Sequence, residues 1–150
     1  MRGLIVGLTF LISIPCFSQD SLAIMHEIDS IWAIKIKTDR KIIKSAGANT
    51  HYGVWYAKKS NDILLVKETQ YPVADEKTKF WIYDYHFRNG QLFLITKWNN
   101  THAKDKDRKI CHYYFRNGEL LYKHEFRVSI ANLPDEIKKA YFLRERFKKP

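Results

Sequence analysis

The sequence predicts an α+β fold: an antiparallel β-meander of about six strands, in three hairpin units, with a helix at each end. Three observations carry this reading. Two ten-residue segments repeat at an offset of 28 residues, each with Asn-Gly in its second half. Apolar and polar residues alternate on either side of each Asn-Gly. The flanking stretches space their apolar residues as helices do.

The repeat aligns Tyr83-Asp-Tyr-His-Phe-Arg-Asn-Gly-Gln-Leu92 with Cys111-His-Tyr-Tyr-Phe-Arg-Asn-Gly-Glu-Leu120 without a gap. Asn89-Gly90 and Asn117-Gly118 then read as type I′ turns, which need positive φ at both central residues, and Asn and Gly tolerate this best. A turn there predicts Phe87 opposite Leu92, Tyr85 opposite Leu94, Tyr83 opposite Thr96 and Trp81 opposite Trp98. In the second unit it sets Phe115, Tyr113 and Cys111 against Leu120, Tyr122 and His124. The hairpins span about 79–98 and 108–127. A third, degenerate unit spans about 52–70, with Asn61-Asp62 under the Asn-Gly position and Leu64 under Leu92. Residues 72–77 and 99–107 read as polar links.

The ends supply the cover for an aromatic-rich sheet face. Leu22, Met25, Ile28, Ile31 and Trp32 predict an N-terminal helix over about 20–36, capped by Asp20 or Ser21. Ile34-Lys35-Ile36 and Ile42-Ile43 stay open between a helix end and a short strand. Asn132 and Asp135 flank Pro134 at the start of a C-terminal helix over about 134–147, with Ile137, Ala140, Tyr141 and Arg144 on one side.

Residues 1–18 read as a secretory signal peptide: Arg2, an apolar run from Leu4 to Ile14, then Cys16-Phe17-Ser18 before the cut. Cleavage before Gln19 is preferred to lipidation of Cys16, because Pro15 directly before the cysteine suits lipid attachment poorly. The apolar run is shorter than the roughly 20 residues of a membrane span, so no transmembrane segment is expected after its removal. The mature chain, 19–150, is expected to form a single domain that is exported, periplasmic or extracellular. It keeps 25 basic and 16 acidic residues, a net charge of +9. That balance favours an acidic protein or an envelope polyanion as partner, although scattered lysines and arginines also serve simple solubility. Cys111 is then the one remaining cysteine, expected on the covered face, and no intrachain disulfide can form.

No motif for catalysis, cofactor or metal emerges. There is no phosphate loop, no Gly-x-Ser-x-Gly elbow and no His-Glu-x-x-His. Cys111 and His112 are neighbours in a strand and point to opposite faces. The best polar cluster is Asp84 and His86 on one face, with His112 and Tyr114 in the equivalent places of the next repeat. An exposed sheet face would present the same residues. The Lys79-Phe80-Trp81-Ile82-Tyr83 stretch reads as strand alternation before a nucleic-acid platform, so no specific nucleic acid is expected. The residues thus predict a non-enzymatic binding protein. The alternatives are a toxin-neutralising or enzyme-inhibiting protein, using a sheet face or the basic helix around Lys138, Arg144 and Arg146, and a charge-driven polyanion binder.

Over residues 52–126, the doubled Tyr-x-Phe-Arg-Asn-Gly-x-Leu hairpin resembles small uncharacterised exported bacterial proteins with repeated aromatic-x-Phe-x-Asn-Gly-x-Leu β-hairpins. It is distantly similar to MORN-type repeats, which have a shorter period and further glycines after the turn. The resemblance implies hairpins and export, and it transfers no catalytic residue.

Overall fold

The computed structural model describes residues 37–39, 49–71, 80–100 and 107–149, together with Ala23 and His26. Contacts divide the chain into two units, Met1–Ile34 and Lys35–Pro150. In the first, Ala23 and His26 are helical and exposed. The expected leader and the rest of the expected helix over 20–36 lie outside the described residues, as do the link 72–77 and residues 101–106.

The second unit is one antiparallel sheet in strict meander order. Its strands are β1 (Lys37–Asp39), β2 (Asn49–Tyr56), β3 (Ile63–Tyr71), β4 (Phe80–Arg88), β5 (Gln91–Asn100), β6 (Ile110–Arg116) and β7 (Glu119–Phe126). A single helix, α1 (Leu133–Phe147), follows. The six expected strands, in three hairpins, are β2 to β7; β1 adds three residues to the outer edge of β2, pairing Lys37 with Tyr56.

The turns are local in origin. Asn89 and Gly90 have φ of 47° and 76°, Asn117 and Gly118 of 53° and 84°. Positive φ at both central residues closes Arg88 on Gln91 and Arg116 on Glu119. The first hairpin turns more loosely, with Asn61 at φ 59° and Ala57 N donating to Asp62 O at 2.8 Å.

Beyond the turns the register differs from the sequence reading. Phe87 does oppose Leu92, but Tyr85 then meets Ile95, Tyr83 meets Lys97 and Trp81 meets Asn99. Tyr113 likewise meets Lys123 in place of Tyr122, and Cys111 meets Glu125 in place of His124. The cause is one extra residue on the returning strand: Phe93 in β5 and Leu121 in β7 stand outside the pairing. Leu64 does the same in β3. Such a bulge swaps the faces of everything after it and deepens the twist. Leu94, Thr96 and Trp98 therefore point away from the face that carries Tyr85 and Phe87, while Ile95 joins it.

That face packs under α1. Asn132 caps the helix by accepting from Asp135 N at 3.3 Å, Pro134 occupies the first turn, and Asp135 and Glu136 complement the helix dipole there. Ala140, Leu143 and Phe147 of α1 are buried against Val54, Val66, Tyr85, Phe87, Leu92, Ile95, Cys111 and Phe115. Ile137 and Tyr141 pack at the margin. Tyrosines tie the helix and its lead-in to the sheet: Tyr56 donates to Phe147 O at 2.8 Å, and Ile130 N donates to Tyr113 at 3.1 Å.

At the centre of this seam lies a buried charged cluster. Glu68 is 3% exposed and accepts from Lys139 Nζ at 2.7 Å, Gln70 Nε2 at 2.7 Å and the Tyr85 hydroxyl at 3.1 Å. Lys139 also reaches Glu136 at 3.2 Å, and Tyr85 bonds Glu136 as well. Burial opposes the Lys139 charge, but Glu68 and Glu136 outweigh it and hold its pKa above the ordinary lysine value. Burial, then the two carboxylates, push the Tyr85 hydroxyl upward.

Two outcomes are expected in urea denaturation. Lys139→Met strands two carboxylates at a packed interface and should cost about 2–3 kcal/mol. This is below the usual loss for a fully buried pair, because Lys139 is partly exposed. Gly90→Ala and Gly118→Ala should each cost about 1–2 kcal/mol through positive φ. A Cβ on Gly90 would meet Arg144 Nη2 at 2.7 Å and one on Gly118 nothing within 4 Å. The Arg144 tip can swing aside, so the two losses should agree to within roughly 0.5 kcal/mol.

Candidate interaction surface

Opposite α1, the second sheet face carries all four candidate residues, Asp84, His86, His112 and Tyr114. Strand pairing arranges this face in rows. One runs Lys67, Asp84, Thr96, His112, His124 from β3 to β7, and its neighbour runs Leu65, His86, Leu94, Tyr114, Tyr122. In the first row Lys67 Nζ lies 3.6 Å from Asp84 Oδ1, and Trp98 Nε1 donates to Asp84 Oδ2 at 3.0 Å. Thr96 Oγ1 and His112 Nδ1 share a hydrogen bond of 3.1 Å, and His112 stacks on His124 with ring centroids 6.2 Å apart.

Aromatic side chains lie across these rows. The Trp55 ring occupies the space above Gly53, where an added Cβ would sit 2.9 Å from it. Lys67 Nζ is 5.6 Å from the Trp55 ring and 5.8 Å from the Trp98 ring. Phe93, the residue outside the register, packs on His86 at 5.9 Å. Tyr114 meets Tyr122 at 5.8 Å.

Burial sets the charge states. Desolvation raises the Asp84 carboxyl above its usual range, against the pull of Lys67 and the Trp98 hydrogen bond. His86 is only 4% exposed, and burial, with Lys67 and His112 nearby, pushes it down to about 3. His112 is lowered too, by burial first and then by His124 and Arg108. At neutral pH the two rows therefore hold neutral imidazoles at His86 and His112, and a carboxyl turned to Lys67 and Trp98. These groups contact one another, although Asp84 Oδ1 is buried without a hydrogen bond and has Lys67 Nζ 3.6 Å away, and the face opens to solvent at β7. Cys111, on the α1 face, is buried, and burial pushes its thiol up to about 11, so it stays protonated at neutral pH. Among the described residues no group of His, Cys, Asp and Glu side chains is placed to hold a metal ion, and no helix is long and apolar enough to cross a membrane.

A second feature lies at the C-terminal end of α1. A cleft of about 200 Å³ is lined by Ser60, Asn61, Asp62, Ile63, Arg144, Lys148 and Lys149. Arg144 bonds Glu145 at 2.7 Å, Lys148 lies 3.9 Å from the same carboxylate, and Lys149 Nζ is 4.5 Å from the Tyr56 ring. Arg146 lies over Phe147 at 5.7 Å, whereas Lys138 is a turn and more away, beside Asp135 at 3.5 Å. Of the basic residues expected to act together, Arg144 lines the cleft, while Arg146 and Lys138 are not among its lining residues. The sequence reading missed Lys148, Lys149 and the Ser60–Ile63 wall. The run Arg144-Glu-Arg-Phe-Lys-Lys149 carries the signal for the first two, but only folding brings the loop to them.

The His86 shift has a definite sign. Between about pH 6.5 and pH 3 the unfolded chain binds the His86 proton and the fold does not, so stability falls as pH falls, by about 1.4 kcal/mol per unit. Asp84 works the other way, because its raised folded pKa lets the fold keep a proton longer than the unfolded chain. His112, lowered as well, adds to the His86 loss, so stability should drop by roughly 2 kcal/mol between pH 7.5 and pH 5. In His86→Gln, with Lys67, Asp84 and His112 retained, most of that drop should vanish in paired urea titrations.

Comparison with known proteins returned no matching family model, no matching curated protein and no matching solved structure, so the functional reading rests on the surfaces described above.

Proposed function

We propose that this chain is an exported, non-enzymatic interaction protein, periplasmic or extracellular, that binds an acidic partner through the basic end of α1. The observation that carries the reading is the cleft where Arg144, Lys148 and Lys149 face the Ser60–Ile63 loop. It belongs to a chain of formal net charge +10, or +9 without the leader. Such a surface steers anionic groups over distances comparable to the Debye length, about 8 Å at physiological salt. On the opposite sheet face Trp98 is hydrogen-bonded to Asp84 and Thr96 to His112, which favours the basic end of α1 as the surface that binds.

The test is capture from native envelope extract on the immobilised chain at about 50 mM and about 500 mM salt. One protein retained at high salt in a one-to-one complex is the result expected of an inhibitor or neutralising protein. Loss of all material at high salt would move the reading to an envelope polyanion, since counterion release makes such binding steeply salt-dependent. In either case the Lys148→Glu, Lys149→Glu double variant should retain about tenfold less material, a loss of about 1.4 kcal/mol. Unchanged retention by this variant would refute the proposal.

A further inference from the structure

Among the described residues the sheet ends at β7, and no strand pairs with its outer edge. A sheet edge presents unpaired N–H and C=O groups, and proteins usually blunt it with brevity, proline, bulges or charge. The opposite edge is blunted in this way, for β1 has only three residues. β7 has eight, Glu119–Phe126. Its side chains are correspondingly exposed: Leu120 by 45%, Tyr122 by 38% and Phe126 by 43%. These are three of the four large apolar residues left exposed among those described. After Phe126 the chain does not run alongside this edge. Lys97 Nζ bonds Ser129 O at 3.2 Å and Tyr113 receives Ile130 N at 3.1 Å, so the chain returns over β5 and β6.

The geometry points to a second copy of this chain as the occupant, with β7 pairing antiparallel to β7 about a two-fold axis through His124. The partner follows from the order of side chains on the strand. With the axis normal to the sheet, each face continues into its counterpart, so a residue must pair with one on the same face. Tyr122, His124 and Phe126 lie on the face away from α1, opposite Tyr114, His112 and Ile110. Lys123 and Glu125 lie on the α1 face, opposite Tyr113 and Cys111. Centring on His124 sets Lys123 against Glu125 of the second copy, twice by symmetry. It sets Tyr122 against Phe126, also twice, and His124 against itself. Opposite charges and aromatic pairs are the cross-strand combinations that stabilise a ladder.

Neighbouring registers lack this complementarity. Centring on Lys123 or Glu125 puts each residue against its own charge, and the latter also sets Lys123 against Arg127. Centring on Tyr122 sets Glu119 against Glu125, and centring on Phe126 runs off the end of the strand. The His124 register also extends the row of His112 and His124 across the axis. This inference rests on β7 alone and is independent of the acidic-partner reading, which concerns the other end of the molecule.

Sedimentation equilibrium of the full chain at about 150 mM salt, where repulsion between two basic copies is screened, should show dimers at micromolar concentration. Lys123→Glu and Glu125→Lys each place like charges opposite one another twice and should each weaken self-association at least tenfold. An equimolar mixture of the two should associate again, because every introduced charge then meets its opposite on the other chain. Glu125 also bonds the Tyr113 hydroxyl, so circular dichroism must show that Glu125→Lys is folded. Should it not fold, a second variant decides the question. His124→Cys oxidised with diamide should give a disulfide-linked dimer that the native chain, treated in parallel, does not. A cross-strand pair on the axis has Cα atoms about 4.5–5.5 Å apart, within disulfide reach. A native chain that stays monomeric, single variants that dimerise as tightly as the native chain, or no added cross-linking in His124→Cys would each overturn the proposal.

Discussion

One extra residue on the returning strand of each hairpin governs the rest of this structure. Side chains alternate along a strand with a period of two, so a single unpaired residue exchanges the two faces of everything that follows it. Phe93 in β5 puts Ile95 beneath α1 and sends Thr96 and Trp98 to the other side. Leu121 in β7 puts Lys123 and Glu125 on the α1 side and leaves Tyr122, His124 and Phe126 on the other. Without these insertions Asp84 would lose both Thr96 as its cross-strand neighbour and the indole of Trp98. The polar row across the far face is thus a product of the bulges.

The same constraint shapes the seam under α1. Tyr85 and Tyr113 occupy equivalent places in the two repeats and share the covered face, yet they are used differently. Tyr85 joins Glu68, Glu136 and Lys139 in a buried cluster, while Tyr113 holds Ile130 at the approach to the helix. A phenol is suited to this position because its ring contributes to the core while its hydroxyl satisfies a polar group at the boundary. The Lys139–Glu68 contact, at 2.7 Å, also restricts how α1 can sit, since a charged pair at a packed surface tolerates little sliding without losing hydrogen bonds.

The molecule thereby offers distinct surfaces with distinct physics. The far face is largely buried: burial keeps His86 neutral and raises the Asp84 carboxyl above its ordinary range, and Asp84 Oδ1 is left with no hydrogen bond. The C-terminal end of α1 gathers cations next to the first hairpin loop, where the negative end of the helix dipole makes their concentration less costly. Among the described residues, the β7 edge is unpaired and carries exposed aromatic side chains and alternating charge. The basic cleft and, among the described residues, the unpaired strand edge are the surfaces on which the proposed associations rest.

What the sequence determined is what depends on a few adjacent residues. Asn89-Gly90 and Asn117-Gly118 specify their turns because positive φ is a property of the residue itself, and alternation through Tyr85 and Phe87 identifies the covered face of β4. Asn132 and Pro134 likewise mark the start of α1, and the adjacency of Asp84, His86, His112 and Tyr114 in the repeat placed them together on one face. The tertiary structure decided what depends on residues distant in the chain. No composition or spacing signals that Phe93 or Leu121 is the residue left out of register, because each is an ordinary strand former whose exclusion is set by the packing of both faces. The partners of Glu68 lie on α1, and the wall of the basic cleft lies on the first hairpin. Those contacts exist only after the helix has settled on the sheet, and their energy is that of a burial that no local segment can make alone.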